Sequence, residues 1–358
     1  MASGDDFAQI EDEAFGDLAK AAPLRVPRKG KADIGGRMRV ASILRTAGVG
    51  NDAAPERIAG STNEVWKSGP YVIRVGFMPG ATRLRREAEL AKILPREVHY
   101  PPVVASGAEA FGEWIIVRHR VGRVLSREWS GLSVEGRRDV THDIAHALHA
   151  VHDLVPSEEG VEKFSFREEL GELAPPHDLR LPQLRKHLDC LKDAPYVDFG
   201  IIKEAEERLD SLVDAFFEHE RHGIVHGDLH FENVMALDGV LVALLDFEWA
   251  RVGSREIDID VLARFCSEPE LHVGGEYQTS AMDYRDVLRW VNEVYPELFD
   301  HEFIHERLMY TALAFEIPSL AALPPDAPAQ NLVSHHPINR LKRLLNEGTH
   351  AERLGWTV

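Results

Sequence analysis

The stretch VHGDLHFENVMALDGVLVALLDFEWA, residues 225–250, decides the fold. A short apolar run ends in a tight turn at Gly227, and Asp228 follows. Asn233 comes after four intervening residues. Two apolar runs then flank Asp238-Gly239, a pairing that marks a β-hairpin, and Asp246 ends the second run. Such a hairpin returns Asp246 to the side of Asn233. One carboxylate is then placed to accept a proton. An amide oxygen and a second carboxylate supply hard oxygen ligands of the kind Mg²⁺ prefers, with water and phosphate completing its shell. These are the parts that phosphoryl transfer requires.

Two plainer readings compete. Asp and Asn favour turns for local hydrogen-bonding reasons, which accounts for Asp228 or Asn233 singly but not for Asp246 at the end of an apolar run. His222, His226 and His230 recur every four residues, as zinc ligands on a helix face do, but Gly223 and Gly227 interrupt any such helix. His142, His146 and His149 share one face of a helix upstream and read as packed or solvated residues, with His152 capping or bracing the helix end.

Working outward, residues 55–120 carry short β-branched and aromatic runs broken by Gly, Pro and Ser: ERIA, EVWKS, YVIRVG, PVVASG and EWIIVRHR. One helical segment, TRLRREAELAKIL, interrupts them, and another, RMRVASILRTAG, precedes them. After residue 122 the apolar spacing becomes three to four residues, as in GRRDVTHDIAHALHAVHDL, EIDIDVLARFC and EFIHERLMYTALAFEI. The expected organisation is a tail or linker over 1–35, a small sheet-rich domain over 36–121 and a larger helical domain over 122–358.

The opening stretch resembles the catalytic centre of the aminoglycoside phosphotransferase and choline kinase-like family, distant relatives of protein kinases. HGDLHFEN fits the family's H-G-D-x-x-x-x-N loop, and LLDFE fits its D-[FW]-E. The resemblance implies an α+β, bilobal, protein-kinase-like fold, with a small β-rich N-lobe, a larger mainly helical C-lobe and nucleotide bound between them. It makes Asp228 the catalytic base, has His226 brace the loop, and makes Asn233 and Asp246 the Mg²⁺ ligands. ATP or GTP is the implied co-substrate. In AGSTNEVWKSGPYVIRV, Gly60, Ser61 and Thr62 would meet its phosphates. Arg74, on the strand face of Val72, stands where such proteins generally carry Lys; its planar fork can bind phosphate bidentately. Glu87 is its implied partner, with Glu89 the alternative about 200° away on the same helix. The backbone around Arg118, His119 and Arg120 would meet the base, with Gly122 releasing the chain. Asp260, followed by VLA, fits best as the helix aspartate that hydrogen-bonds the catalytic loop; Asp258 is second. The short span from Glu248 to that helix leaves no room for a long activation segment, and no A-P-E follows, which favours a small-molecule kinase over a protein kinase.

The charge pattern bears on the acceptor. The chain carries a net −18, split as +3 over residues 55–120 and −21 over residues 121–358. Nucleic acid is disfavoured, since phosphates would be repelled. An acidic helical domain suits a cationic small-molecule acceptor, first of all an aminoglycoside or similar antibiotic. A metabolic kinase for choline, an amino alcohol or a sugar is the alternative, and a catalytically weak nucleotide-binding protein, suggested by Arg74, is the third reading. No apolar run reaches membrane-spanning length. Cys190 and Cys266 stand far apart, without a disulfide framework, so a reducing cytoplasm is the expected location.

Overall fold

The computed structural model describes residues 34–50, 53–59, 63–76, 81–155, 164–165, 175–194, 197–218, 222–273, 279–323 and 336–356. Gly60, Ser61 and Thr62, and the tail up to residue 33, lie outside them. The chain divides into two compact units, one of residues 1–93 and 101–120, the other of residues 94–100 and 121–358.

The first unit is built on five antiparallel strands: β1 (Glu56–Ala59), β2 (Asn63–Ser68), β3 (Tyr71–Gly76), β4 (Val103–Glu109) and β5 (Gly112–Arg118), in the order β1-β2-β3-β5-β4. Period-two alternation explains the faces. Trp66, Ile73, Val75, Trp114 and Ile116 form a core with Val40, Ile43 and Leu44 of helix α1 (Ile34–Thr46). Helix α2 (Arg83–Leu90) presents Leu84, Glu87, Ala88 and Leu90 inward. Residues 94–100, expected within the sheet domain, belong instead to the second unit: Val98 is fully buried, and the Tyr100 ring meets Phe247 edge-on at 5.8 Å.

The second unit is mainly helical. Its longer helices are α3 (Val134–His152), α4 (Leu181–Leu191), α5 (Phe199–Phe217), α6 (Glu256–Ser267), α7 (Val287–Val294), α8 (Ile304–Ala321) and α9 (Pro337–Glu347). Ser133 caps α3 by accepting the Gly136 N–H at 3.1 Å, and Asp198 caps α5 through Gly200 at 2.8 Å. Helices α4, α5, α8 and α9 bury a common set of Leu, Ile, Phe and Tyr side chains, among them Leu188, Leu209, Tyr310, Leu313 and Leu341. Two small sheets carry the site. One pairs β7 (His222–Val225) with β10 (Arg251–Ser254); the other orders β6 (Arg123–Val124), β8 (Val234–Leu237) and β9 (Val240–Leu244) as β6-β8-β9. The turn between β8 and β9 has Asp238 and Gly239 at φ 52° and 78°, the left-handed pair that a two-residue hairpin needs. Among the described residues no helix is long and apolar enough to cross a membrane.

Candidate active site

The loop 226–233 is held by its backbone. Pairing of β7 with β10 sets Val225 opposite Arg251 and brings the loop's start beside the residues that follow Asp246. Gly227 turns the chain at φ 80°; a Cβ there would lie 2.5 Å from the Trp249 carbonyl oxygen, so only glycine fits. At the far end, Leu245 N–H donates to the Asn233 carbonyl at 2.8 Å, and Val234 pairs with Leu244. The hairpin thus returns Asp246 to Asn233. Asp246 itself has φ 63° and ψ 60°, a left-handed conformation that Asp tolerates better than most residues.

Within this frame the side chains take distinct states. His226 Nε2–H donates to the Leu245 carbonyl at 2.9 Å, and its Nδ1 accepts the Asp228 N–H at 3.3 Å. Burial holds this imidazole below its usual pKa, in keeping with a neutral ring that donates on one side and accepts on the other. Asn233 turns its amide N–H toward Asp228, reaching the carbonyl at 2.9 Å and Oδ2 at 3.1 Å, which points its own oxygen away from that carboxylate. Partial burial pushes the Asp228 carboxyl well above the usual carboxylate range; Asp246 and Glu248 push it the same way, and the Asn233 amide pulls it back. Glu248 is buried and adds a third carboxylate to this field; its place in the D-F-E motif was the only sequence signal for it.

The aspartate that grips the loop is Asp258, not Asp260. Asp258 Oδ2 accepts the His226 N–H at 2.8 Å and Oδ1 the Gly227 N–H at 2.8 Å. Its Oδ2 also accepts His152 Nε2–H at 2.9 Å, which places His152 as a brace of the loop rather than of its own helix alone. Burial opposes ionisation of Asp258, but the bond from His152 and those from the loop outweigh it and hold the carboxyl low. Asp260 lies two residues on, about 200° around the helix, and faces the other way: it accepts from His177 at 2.9 Å and from Arg264 at 3.0 Å. The following VLA did not discriminate between the two, because the choice depends on which helix face meets β7.

In the first unit, Arg74 lies between Val65 and Ile115 in the sheet and is 9% exposed. Its Nη1 donates to both oxygens of Glu87, at 2.7 and 2.6 Å. Glu89 pairs instead with Lys92 at 2.6 Å on the exposed side of α2. Val72, half-buried, sits opposite Lys67 and Val117. At the end of β5 the N–H groups of Arg118 and His119 donate to the carbonyls of Pro102 at 3.0 Å and Pro70 at 2.9 Å. The Arg118 guanidinium lies over the Tyr71 ring at 4.8 Å, and Arg120 is exposed.

The donor set fits a hard cation. Asp246 and the Asn233 amide oxygen are oxygen donors on adjoining ends of one hairpin, beside a carboxyl raised by its acidic neighbours. No group of three or more His, Cys, Asp or Glu among the described residues is arranged to hold a metal by itself, so His222, His226 and His230 do not form a zinc site. Such a two-ligand arrangement suits Mg²⁺, which ordinarily completes its shell with water and substrate phosphates.

Among solved structures, the chain matches a GDP complex of aminoglycoside 2'-phosphotransferase-IIIa at TM-score 0.57 and 16% identity, covering 88% of this chain and 99% of the other. It matches a streptomycin–ATP ternary complex of APH(2")-IIa at TM-score 0.56 and 16% identity, covering 90% and 98%. APH(3'')-Id from Streptomyces rimosus matches at TM-score 0.52 and 16% identity, covering 78% and 98%. These likenesses establish the kinase-like aminoglycoside phosphotransferase fold. No curated protein matches the chain. A sequence profile spans residues 56–291, from β1 through the 226–233 loop and the hairpin into α7, and by that match the chain belongs to the phosphotransferase enzyme family.

Proposed function

We propose that this phosphotransferase, a small-molecule kinase, moves the γ-phosphoryl group of ATP or GTP to a hydroxyl of a cationic acceptor, an aminoglycoside or a compound like it. The observation that carries the reading is the state of Asp228: one carboxylate oxygen is held by Asn233, and the group sits in the field of Asp246 and Glu248. In this reading Asp228 orients the acceptor hydroxyl and takes its proton as the phosphoryl group arrives in line. His226 and Asp258 fix the loop that carries it. Asn233 and Asp246 would hold Mg²⁺, which when bound offsets charge on the transferring group. Arg74, oriented by Glu87, would hold the nucleotide's phosphates. Most of the rate then comes from positioning and electrostatics rather than from base strength.

Support for the acceptor class comes from the net −21 over residues 121–358 and from the fold's solved examples, which include complexes with kanamycin, streptomycin and gentamicin. The test is a phosphate-release and mass-shift screen with ATP and GTP against aminoglycosides, macrolides, choline and sugars. The expected outcome is transfer to an aminoglycoside, with an acceptor KM that rises with salt while kcat holds, because a negative field is screened over about 8 Å at physiological ionic strength. A preferred acceptor that is neutral or anionic, without salt dependence, would overturn the cationic class. Failure to bind ATP or GTP would overturn the kinase reading itself.

A further inference from the structure

The two oxygens of Asp228 are not equivalent. Oδ2 receives the Asn233 amide at 3.1 Å, whereas Oδ1 faces His230 Nε2 at 3.5 Å. The Asp228 side chain is 33% exposed, so a hydroxyl that donates to Oδ1 arrives beside the His230 ring. That ring belongs to a larger surface. It lies nearly parallel to Phe265, 16° apart with centroids at 6.0 Å, and 5.7 Å from the ring of His272. His272 in turn meets Phe265 at 5.3 Å. Phe265 is fully buried and backed by Phe231 at 5.4 Å and Tyr284 at 5.3 Å. His272 is exposed, and His230 Nδ1 is buried with no hydrogen-bond partner among the described residues. Core packing accounts for Phe265 and Phe231. It does not account for the exposed His272 on the same aromatic floor, one ring removed from Asp228 Oδ1.

We propose that His230 and His272 form the acceptor-positioning face of the site, and that this face takes the C–H side of the ring that bears the reacting hydroxyl. The proposal rests on the phosphotransfer reading of Asp228. A quaternary ammonium group is best recognised by the open faces of Trp and Tyr. Here Trp129 and Tyr284 are 1% exposed and stacked on each other at 5.2 Å, so those faces are closed. Two nearby carboxylates are engaged as well: Glu232 accepts from Ser126, and Glu268 pairs with Arg343 at 2.7 Å and Arg353 at 3.3 Å. An imidazole offers what a sugar-type ring uses: a flat face for its C–H groups and ring nitrogens for the hydroxyls beside them. Cationic groups of an acceptor then lie further from Asp228, on other rings.

The test uses the full-length protein with Mg²⁺ and a non-hydrolysable ATP analogue, and kanamycin A, D-glucose and choline as probes. Diethyl pyrocarbonate modification, read by mass spectrometry, follows His272 against His305, a residue that meets Glu352 and Trp356 instead. A ring-bearing probe should protect His272 and leave His305 reactive. In His272→Ala the dissociation constant of that probe should rise about 10-fold, the scale of one lost ring contact, with nucleotide affinity unchanged. His272→Phe, which keeps the flat face, should recover most of it. For any probe that is turned over, the loss should fall on the acceptor KM rather than on kcat. Binding without protection of His272, protection by choline alone, or equal losses of nucleotide and probe affinity in His272→Ala would overturn the proposal. Nucleotide binding with no binding of either ring-bearing probe would also overturn it, and would leave the kinase reading standing. Absence of nucleotide binding would remove both.

Discussion

Two groups of carboxylates, one buried and one partly so, lie within the helical unit, and they are finished differently. Asp260 and Glu316 share Arg264, and Glu316 also accepts from Arg340 at 2.9 Å. The Arg264 guanidinium, with its plane over the Phe315 ring at 4.0 Å, holds Asp260 below the usual carboxylate range against the opposing effect of burial. Asp228, in contrast, is raised by burial and then by two further carboxylates, Asp246 and Glu248. The first group joins α6, α8 and α9, and the protein itself supplies the balancing charge. In the second, the charges of Asp246 and Glu248 act on Asp228 in the opposite direction. Asp228 and Asp260 are therefore shifted in opposite directions by their neighbours, and a cation bound at the proposed site would relieve the first shift and leave the second unchanged.

Four measurements would break or sharpen this contrast. The largest effect is expected at Asp246. Asp246→Asn keeps the left-handed turn and the size but removes the charge; turnover should fall on the order of 10²- to 10³-fold, as for a lost electrostatic stabiliser, with a rightward shift in Mg²⁺ dependence. Near-normal rates across a Mg²⁺ titration would show that Asp246 holds no metal. Glu316→Ala attacks the balanced cluster. It leaves Arg264 and Arg340 without their shared carboxylate and should cost about 3–5 kcal/mol in denaturant unfolding, with turnover per folded molecule little changed; the reverse pattern would mean that the two clusters are one functional unit.

Arg74→Ala should lose about 10²-fold or more in kcat/KM, and Arg74→Lys should retain part of the activity. Equal, small losses for both would show that the Arg74–Glu87 pair is structural only. The smallest effect is a pH dependence of stability. His350 is 4% exposed, and its Nδ1 accepts from Ser267 at 2.5 Å and Arg353 at 2.6 Å. Burial, then Arg264 and Arg353, hold it well below its ordinary value. The unfolded chain therefore binds the proton first. Stability is full above the unfolded pKa, about 6.5, and falls as pH drops below it. Thermal melts from pH 7.5 to 5 should show a steeper decline for the native protein than for His350→Gln; parallel declines would assign the acid sensitivity to other groups.

Much of this arrangement was legible because its determinants are local. The Asp238-Gly239 turn and its apolar flanks specify the hairpin, and the hairpin alone brings Asp246 back to Asn233. Helical geometry allows only one of Glu87 and Glu89 to face Arg74, and the structure pairs it with Glu87, the favoured candidate. Other features were not legible for equally physical reasons. Asp258 and Asp260 carry the same chemistry in the same helix; only the packing of α6 beside β7 selects the first for the loop. Helix α4, with a proline in its first turn, repeats Leu184, Leu188 and Leu191 at helical spacing, but that this face packs against α8 is set only by the tertiary structure. His230 was read solely as a zinc candidate, since its aromatic neighbours Phe265 and His272 are distant in sequence.

The sequence by itself determined the strand-rich and helical halves, the loop and hairpin of residues 226–246, and the family to which they point, because periodicity, turn chemistry and motif spacing act over a few residues. Only the tertiary structure decided which carboxyls are lowered and which is raised. It alone put His152 and Asp258 behind the loop, closed the faces of Trp129 and Tyr284, and set the exposed His272 against His230, the neighbour of Asp228. Those outcomes depend on desolvation and on partners separated by up to a hundred or more residues, and no local pattern encodes them.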